Sequence, residues 1–211
     1  MSDSEKPIDF ELIKNAKFPE GPLGVQMIEG MNRGHASLTD WGFRHVSFGP
    51  AILDVGCGGG IALQKLAARF PEAKLWGCDV SPLAIASAKE ANAAQTAAGR
   101  MQFLECGVSR LPFPDHFFST IFSVESLYFW PNPEQGLREI LRVLQPGGCF
   151  MTALEMVGGT MSARHAAIAR QLEMFCPTPD ELRALLERVG FTACQIEHDL
   201  AHGWLCGVGK K

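Results

Sequence analysis

The stretch Ile52-Leu53-Asp54-Val55-Gly56-Cys57-Gly58-Gly59-Gly60 constrains this chain more than any other. An apolar run suited to a buried strand ends in four glycines within five residues. Leu63, Leu66, Ala67 and Phe70 then fall at i, i+3, i+4 and i+7, one face of a helix. Glycine is needed where the backbone takes a positive φ or where a ligand must come within contact distance. A strand, a glycine turn and a helix in that order open parallel α/β sheets that bind ligands at the carboxyl ends of their strands.

The rest of the chain repeats the alternation. Strands are expected at 51–55, 74–79, 101–105, 117–124 and 149–155, with helices between them. Ser81-Pro82 supplies an N-cap and a first helical proline for an alanine-rich helix that Gly99 ends. Asn132-Pro133 opens a helix with the stripe Leu137, Ile140, Leu141 and Leu144, stopped by Pro146-Gly147-Gly148. Thr178-Pro179-Asp180-Glu181 is a capping box before Leu182, Leu185, Leu186 and Val189, with Gly190 as C-cap. Two last runs, Phe191 to Glu197 and Trp204 to Val208, read as an antiparallel pair at the sheet edge. The expectation is one α/β domain: a mostly parallel seven-stranded sheet, a C-terminal antiparallel hairpin, and helices on both faces. A chain of 211 residues suits one such domain. Residues 1–50 are expected as an N-terminal helical lid and 51–155 as the ligand-binding core. Residues 156–176, with a helix around Ala163 to Met174, are expected as a substrate-side insertion, and 177–211 as the last helix and hairpin.

Asp79 closes the second strand roughly 20 residues beyond the glycine turn, where a carboxylate can accept hydrogen bonds from ribose hydroxyls. Ser81 already serves as N-cap, which leaves Asp79 for a ligand. The net charge of −4 and the absence of a Lys/Arg run argue against a nucleic-acid backbone as partner. Seven scattered cysteines with no CxxC pair suit a reducing interior, and the polar start Met1 to Asp9 has no apolar segment behind it. No apolar run approaches membrane-spanning length. A cytoplasmic protein is expected. So is the absence of a metal: His198 and His202 are four apart but flank a turn with Gly203, and no wider set of Cys and His has ligand spacing.

With these residues in view, the chain resembles the class I (Rossmann-like) S-adenosylmethionine-dependent methyltransferases. It is most similar to the small-molecule branch that includes the ubiquinone and menaquinone methyltransferases. The resemblance rests on LDVGCGGG (53–60), WGCDVS (76–81), LPFPDHFF (111–118), LREILRVLQPGG (137–148) and TPDELRALLERVGF (178–191). It implies S-adenosylmethionine as cofactor. Asp54 and the turn Gly56, Cys57, Gly58 and Gly60 would hold its methionine part. Asp79 would bind the ribose diol and Val80 the adenine face, with Gly107 and Val108 at the adenine edge. Ser123, Val124 and Glu125 would end the fourth strand beside the sulfonium. Two positions depart from the pattern: Gly107 stands where an acidic residue is usual, and Ser119 where an aspartate often follows the phenylalanine. The run Met31 to Gly42 also resembles methyltransferases of this type, and suggests that His35 and Trp41 sit on a helix folded over the cofactor.

Methyl transfer from a sulfonium is an in-line displacement that chiefly needs alignment and exclusion of water. A base is needed only where the nucleophile carries a proton. Glu125 and His35 are the catalytic candidates, ahead of His116 and Tyr128. Trp41, Tyr128 and Trp130 are the substrate-side candidates. The expected partner is a small-molecule methyl acceptor. Nucleic-acid acceptors are disfavoured, because no DPPY- or NPPY-like tetrapeptide is present and Cys176-Pro177 reverses the Pro-Cys order of cytosine C5 enzymes. The alternatives are a non-catalytic S-adenosylmethionine-binding protein and an NAD-dependent oxidoreductase. The latter lacks support: Ile61 stands at the sixth position of GxGxxG and no YxxxK pair occurs.

Overall fold

Ile52 and Leu53 face opposite sides of the chain's first strand, and both are completely buried. The reason is the position of β1 (Ala51–Val55) in the sheet of the computed structural model, which describes residues 8–211. The other strands are β2 (Lys74–Asp79), β3 (Met101–Glu105), β4 (Phe118–Val124), β5 (Leu144–Leu154), β6 (Thr192–Asp199) and β7 (Trp204–Lys210). They lie in the order β3-β2-β1-β4-β5-β7-β6. The first five are parallel, and β7 runs antiparallel to both β5 and β6. The strand order reverses between β1 and β4, so a crevice opens at their carboxyl ends.

Helices cover both faces. On one side α7 (Pro133–Val143) and α9 (Pro179–Val189) bury Leu137, Ile140, Leu182 and Leu186 around Leu53. On the other, α3 (Ala36–Gly42), α4 (Ile61–Arg69) and α5 (Pro82–Ala91) bury Leu38, Leu63, Leu66 and Ile85 around Ile52. Ser81, Asn132 and Thr178 each accept a hydrogen bond from the first turn of the helix they precede. Such a cap stabilises a helix by about 1 kcal/mol. Thr178 and Glu181 complete the expected capping box, and Gly190 ends α9 at φ 116°. Before the sheet, α1 (Phe10–Lys14) and α2 (Gly21–Gly34) precede α3. Residues 1–7, with most of the polar start noted above, lie outside the described residues.

The structure differs from the sequence reading in three places. The alanine-rich helix does not run on to Gly99. It breaks at Asn92, whose buried amide donates to Gly60 O and Ala88 O, and a separate α6 (Ala93–Ala97) follows. Side-chain competition for backbone carbonyls favours such breaks. Pro146-Gly147-Gly148 does not precede β5 but lies within it: Phe118 pairs with Leu144 and Thr120 with Cys149, so the register shifts between them. A bulge absorbs the turn residues without ending the strand. The third difference lies in 156–176, where α8 (Ala163–Gln171) stops short of Met174. Met156, Val157, Ala169 and Leu172 of this segment are buried, and Phe175 N donates to Tyr128 O.

Ser119, one of the two departures, accepts from Ala51 N and donates to Ala51 O, stitching β4 to the start of β1. All seven cysteines are free. Among the described residues no helix is long and apolar enough to cross a membrane.

Candidate functional site

The carboxyl ends of β1, β2 and β4 open on a cavity of about 420 Å³. Its floor is the glycine turn. Gly56 N and Cys57 N both donate to Cys78 O, which ties the turn to the end of β2. Gly56 takes φ 77°, and a Cβ there would lie 2.3 Å from the Ser126 side chain; only glycine fits. Gly58 is also at positive φ, and a Cβ on it would meet nothing. That open side faces the cavity.

Two carboxyl groups, one buried and one half-buried, flank the turn. Asp54 is 2% exposed and lines the cavity, yet no described residue donates a hydrogen bond to its side chain. Burial, with help from the nearby Asp79 charge, pushes its carboxyl well above the usual range. Asp79 accepts from Gly58 N (3.0 Å) on one oxygen and from Ser81 N (2.9 Å) on the other. Burial raises its carboxyl too, opposed by the backbone N–H groups of Ser81, Gly58 and Val80. Each Asp79 oxygen keeps a lone pair for a ligand. An orphaned buried carboxylate suits a cationic group, and a half-used one suits a diol. Val80 (46% exposed) and Phe18 (41% exposed) are large apolar side chains left open beside them on the cavity wall.

At the other end, Glu125 follows β4 with φ 56°, a conformation uncommon outside glycine. Its Oε1 accepts from Tyr128 Oη (2.7 Å) and from Glu155 N (2.6 Å). Burial first, then the Glu155 charge, lifts the Glu125 carboxyl well above its ordinary value. His35, between α2 and α3, lies with Nε2 3.9 Å from Glu125 Oε2 and 3.7 Å from Glu155 Oε1. Burial lowers the imidazole pKa, and the Glu155 charge works against that.

Of the sequence candidates, Asp54, Gly56, Cys57, Gly58, Asp79 and Val80 line the cavity. So do Gly107, Val108, Val124, Glu125, His35 and Trp130. Four others do not. Gly60 instead starts α4 in the left-handed region. Ser123 lies beneath the wall, its hydroxyl 2.7 Å from that of Ser126, and Ser126 in turn donates to Val55 O. Tyr128, 2% exposed, sits behind Glu125 with its hydroxyl accepting from Met156 N. Trp41 packs on His45 and Trp204. Asn32, His35, Ala36 and Thr39 face the cavity, and helical periodicity turns Trp41 to the opposite side. Sequence reasoning passed over Phe18, Asn32, Ser126 and Glu155. Glu155 was legible as the last residue of an expected strand adjacent to the one ending at Glu125. His198 and His202 assemble no metal-ligating cluster among the described residues; His202 pairs with Asp199 instead.

The family described as a methyltransferase domain matches residues 53–152. An O-methyltransferase of Aspergillus nomiae is 34% identical over 70% of this chain and 67% of its own length. A ubiquinone/menaquinone biosynthesis C-methyltransferase of Methylobacterium nodulans is 29% identical over 74% and 71%. The crystal structure of an S-adenosylmethionine-dependent methyltransferase from Aquifex aeolicus superimposes with a TM-score of 0.71 at 17% identity, covering 88% of this chain and 97% of that one. The chain spans only 29% to 56% of the length of some curated relatives it matches. On the strand order, the glycine turn with its two acids and these likenesses together, the chain belongs to the class I S-adenosylmethionine-dependent methyltransferase family.

Proposed function

We propose that this chain transfers a methyl group from S-adenosylmethionine to a small molecule held in the same cavity. One observation carries the reading: Asp54 is buried without a donor, and Asp79 is half-satisfied, on either side of a glycine turn with open space at Gly58. Asp54 would meet the cofactor's cationic ammonium group and Asp79 its ribose hydroxyls, with Phe18 and Val80 against adenine. Gly107 brings no side-chain acceptor to the adenine edge, which leaves backbone and water to read it. When bound, the cofactor supplies a methyl carbon on a positively charged sulfur, primed for in-line displacement.

The chain's own contribution is alignment and dryness. Orientation of this kind accounts for roughly 7–11 kcal/mol in favourable systems, and the side chains from 8–50 that cover the turn exclude water. Glu125 and His35 would engage the acceptor and accept its proton where it carries one. Phe129 and Trp130 provide an apolar wall beside them. A cavity of this size suits small molecules, and the net charge of −4 supports that over a nucleic acid. Seven unpaired thiols support a reducing, cytoplasmic setting.

Calorimetric titration with S-adenosylhomocysteine, with NAD in parallel, tests the reading. Micromolar one-site binding of the former alone is expected, followed by turnover with an acceptor. Binding of NAD alone would replace it with an oxidoreductase, and tight cofactor binding without turnover on any acceptor would leave a binding protein.

A further inference from the structure

Glu125 and His35 have a third neighbour from a distant part of the chain. One ligand atom from each of Glu155, Glu125 and His35 lies within 4.8 Å of the other two, and His35 Nε2 is 3.7 Å from Glu155 Oε1 and 3.9 Å from Glu125 Oε2. These separations are too long for hydrogen bonds. A point equidistant from the corners of such a triangle lies roughly 2.2–2.5 Å from each. That is within a few tenths of an ångström of metal–imidazole and metal–carboxylate bonds of about 2.0–2.2 Å.

A second observation is independent of the spacing. The Glu125 side chain is 8% exposed. Its Oε1 is occupied by Tyr128 and Glu155 N–H, whereas Oε2 accepts no hydrogen bond from any described residue and faces the gap. A largely buried carboxylate with one oxygen open to the cavity, beside a second carboxylate and an imidazole, suits a cation.

We propose that His35, Glu125 and Glu155 bind one divalent transition-metal ion at the acceptor end of the cavity. The inference rests on the methyl-transfer reading of that cavity and specifies how Glu125 and His35 meet the acceptor: as ligands of the ion. One imidazole nitrogen with two carboxylate oxygens favours manganese, iron, cobalt or zinc over magnesium or calcium. Three protein ligands leave coordination positions open, as in catalytic rather than structural metal sites. His35 and Glu125 line the cavity, so an open position faces it and suits an acceptor that offers an oxygen, such as a hydroxyl or a carboxylate. Tyr128 and the Glu155 N–H would orient the Glu125 carboxylate from behind, the usual role of groups that hold a metal ligand. Sequence spacing conceals the set because its members stand at 35, 125 and 155, directly after α2, β4 and β5.

The test is titration of chelator-treated protein with cobalt(II), followed by visible absorption, and with manganese(II), followed by calorimetry. One ion per chain is expected. His35→Ala and Glu155→Gln should each weaken binding by at least the 10–100-fold known for loss of a ligand's supporting group. The His35 side chain makes no capping hydrogen bond, so His35→Ala should fold. Circular dichroism and thermal unfolding of both variants check the fold. No bound ion, or binding that neither substitution alters, overturns the proposal and leaves Glu125 and His35 in direct contact with the acceptor. Metal binding in a wild-type protein that takes no S-adenosylhomocysteine would uphold the metal site and overturn the methyl-transfer reading instead.

Discussion

Removing one oxygen atom, by Tyr128→Phe, separates support of the site from contact with the ligand. The Tyr128 hydroxyl donates to Glu125 Oε1 at 2.7 Å and accepts from Met156 N at 2.7 Å, in a ring 2% exposed. Phenylalanine keeps the packing and loses both bonds. A hydrogen bond to a charged group is worth about 1.5–3 kcal/mol, and a buried donor left unmet, here Met156 N–H, costs about 1–3 kcal/mol. The two overlap, and the lost hydroxyl no longer needs desolvation, so a net loss of about 3 kcal/mol is expected. In a domain of this size that lowers Tm by roughly 6–12 °C. Glu125 is held at φ 56° with Glu155 N and the Glu125 N to Ala153 O bond as its remaining restraints. Thermal unfolding beside calorimetry with S-adenosylhomocysteine reads both sides, and cofactor affinity should stay within about twofold, since Tyr128 lines no part of the cavity. A Tm within 2 °C of wild type, roughly 1 kcal/mol or less, would refute the argument that this network carries stability. A collapse of cofactor affinity in a stable variant would refute the placement of Tyr128 behind the wall.

Three further outcomes are expected. Asp79→Ala should weaken S-adenosylhomocysteine binding at least tenfold, about 1.4 kcal/mol, because the ribose and the Gly58 and Ser81 N–H groups lose one acceptor together; unchanged affinity in folded protein would remove Asp79 from the site. Gly56→Ala should lower urea-derived stability by more than the roughly 1–2 kcal/mol of a left-handed alanine, because its Cβ also collides with Ser126 at 2.3 Å, and a neutral result would show that the turn relaxes freely. The Arg142 guanidinium holds Glu139 below the usual carboxylate range. Its contribution to stability is therefore full above the unfolded value near pH 4.3 and is lost as pH falls through the lower folded value. Glu139→Gln should be less stable than wild type at pH 7 and converge with it in acid, and a gap independent of pH would disprove the linkage.

Much of this architecture was readable because local signals and tertiary demands agree. Ala51 to Val55 stands between Pro50 and Gly56 and is buried on both faces, while Lys74 to Asp79 and Met101 to Glu105 are apolar runs that bury Leu75, Cys78, Met101 and Phe103, so their limits in sequence and structure coincide. Agreement fails where a distant partner decides. Asn92 breaks a helix of good formers because Gly60 O, 32 positions away, accepts its amide. Pro146-Gly147-Gly148 looks like an end until β4 pairs on either side of it and β7 from Cys149 onward. Trp41 looks like a ligand contact until helical phase turns it to Trp204. The glycine turn and its acids are contiguous enough to read as a ligand site. The Glu125–Glu155–His35 group is assembled from the ends of three elements, and only the neighbouring strand ends of Glu125 and Glu155 hint at it in sequence.

Ser81 has a kinetic consequence for the site it borders. Its hydroxyl caps α5 by accepting from Ala84 N, and donates to Pro19 O in the segment that brings Phe18 to the cavity. That segment cannot lift away without breaking a bond to the atom that caps the helix after Asp79. Lifting it would strand the Ser81 hydroxyl proton while Ala84 N keeps its acceptor, so passage of a ligand past Phe18 would be opposed by one buried hydrogen bond, about 1 kcal/mol, with the helix itself left intact.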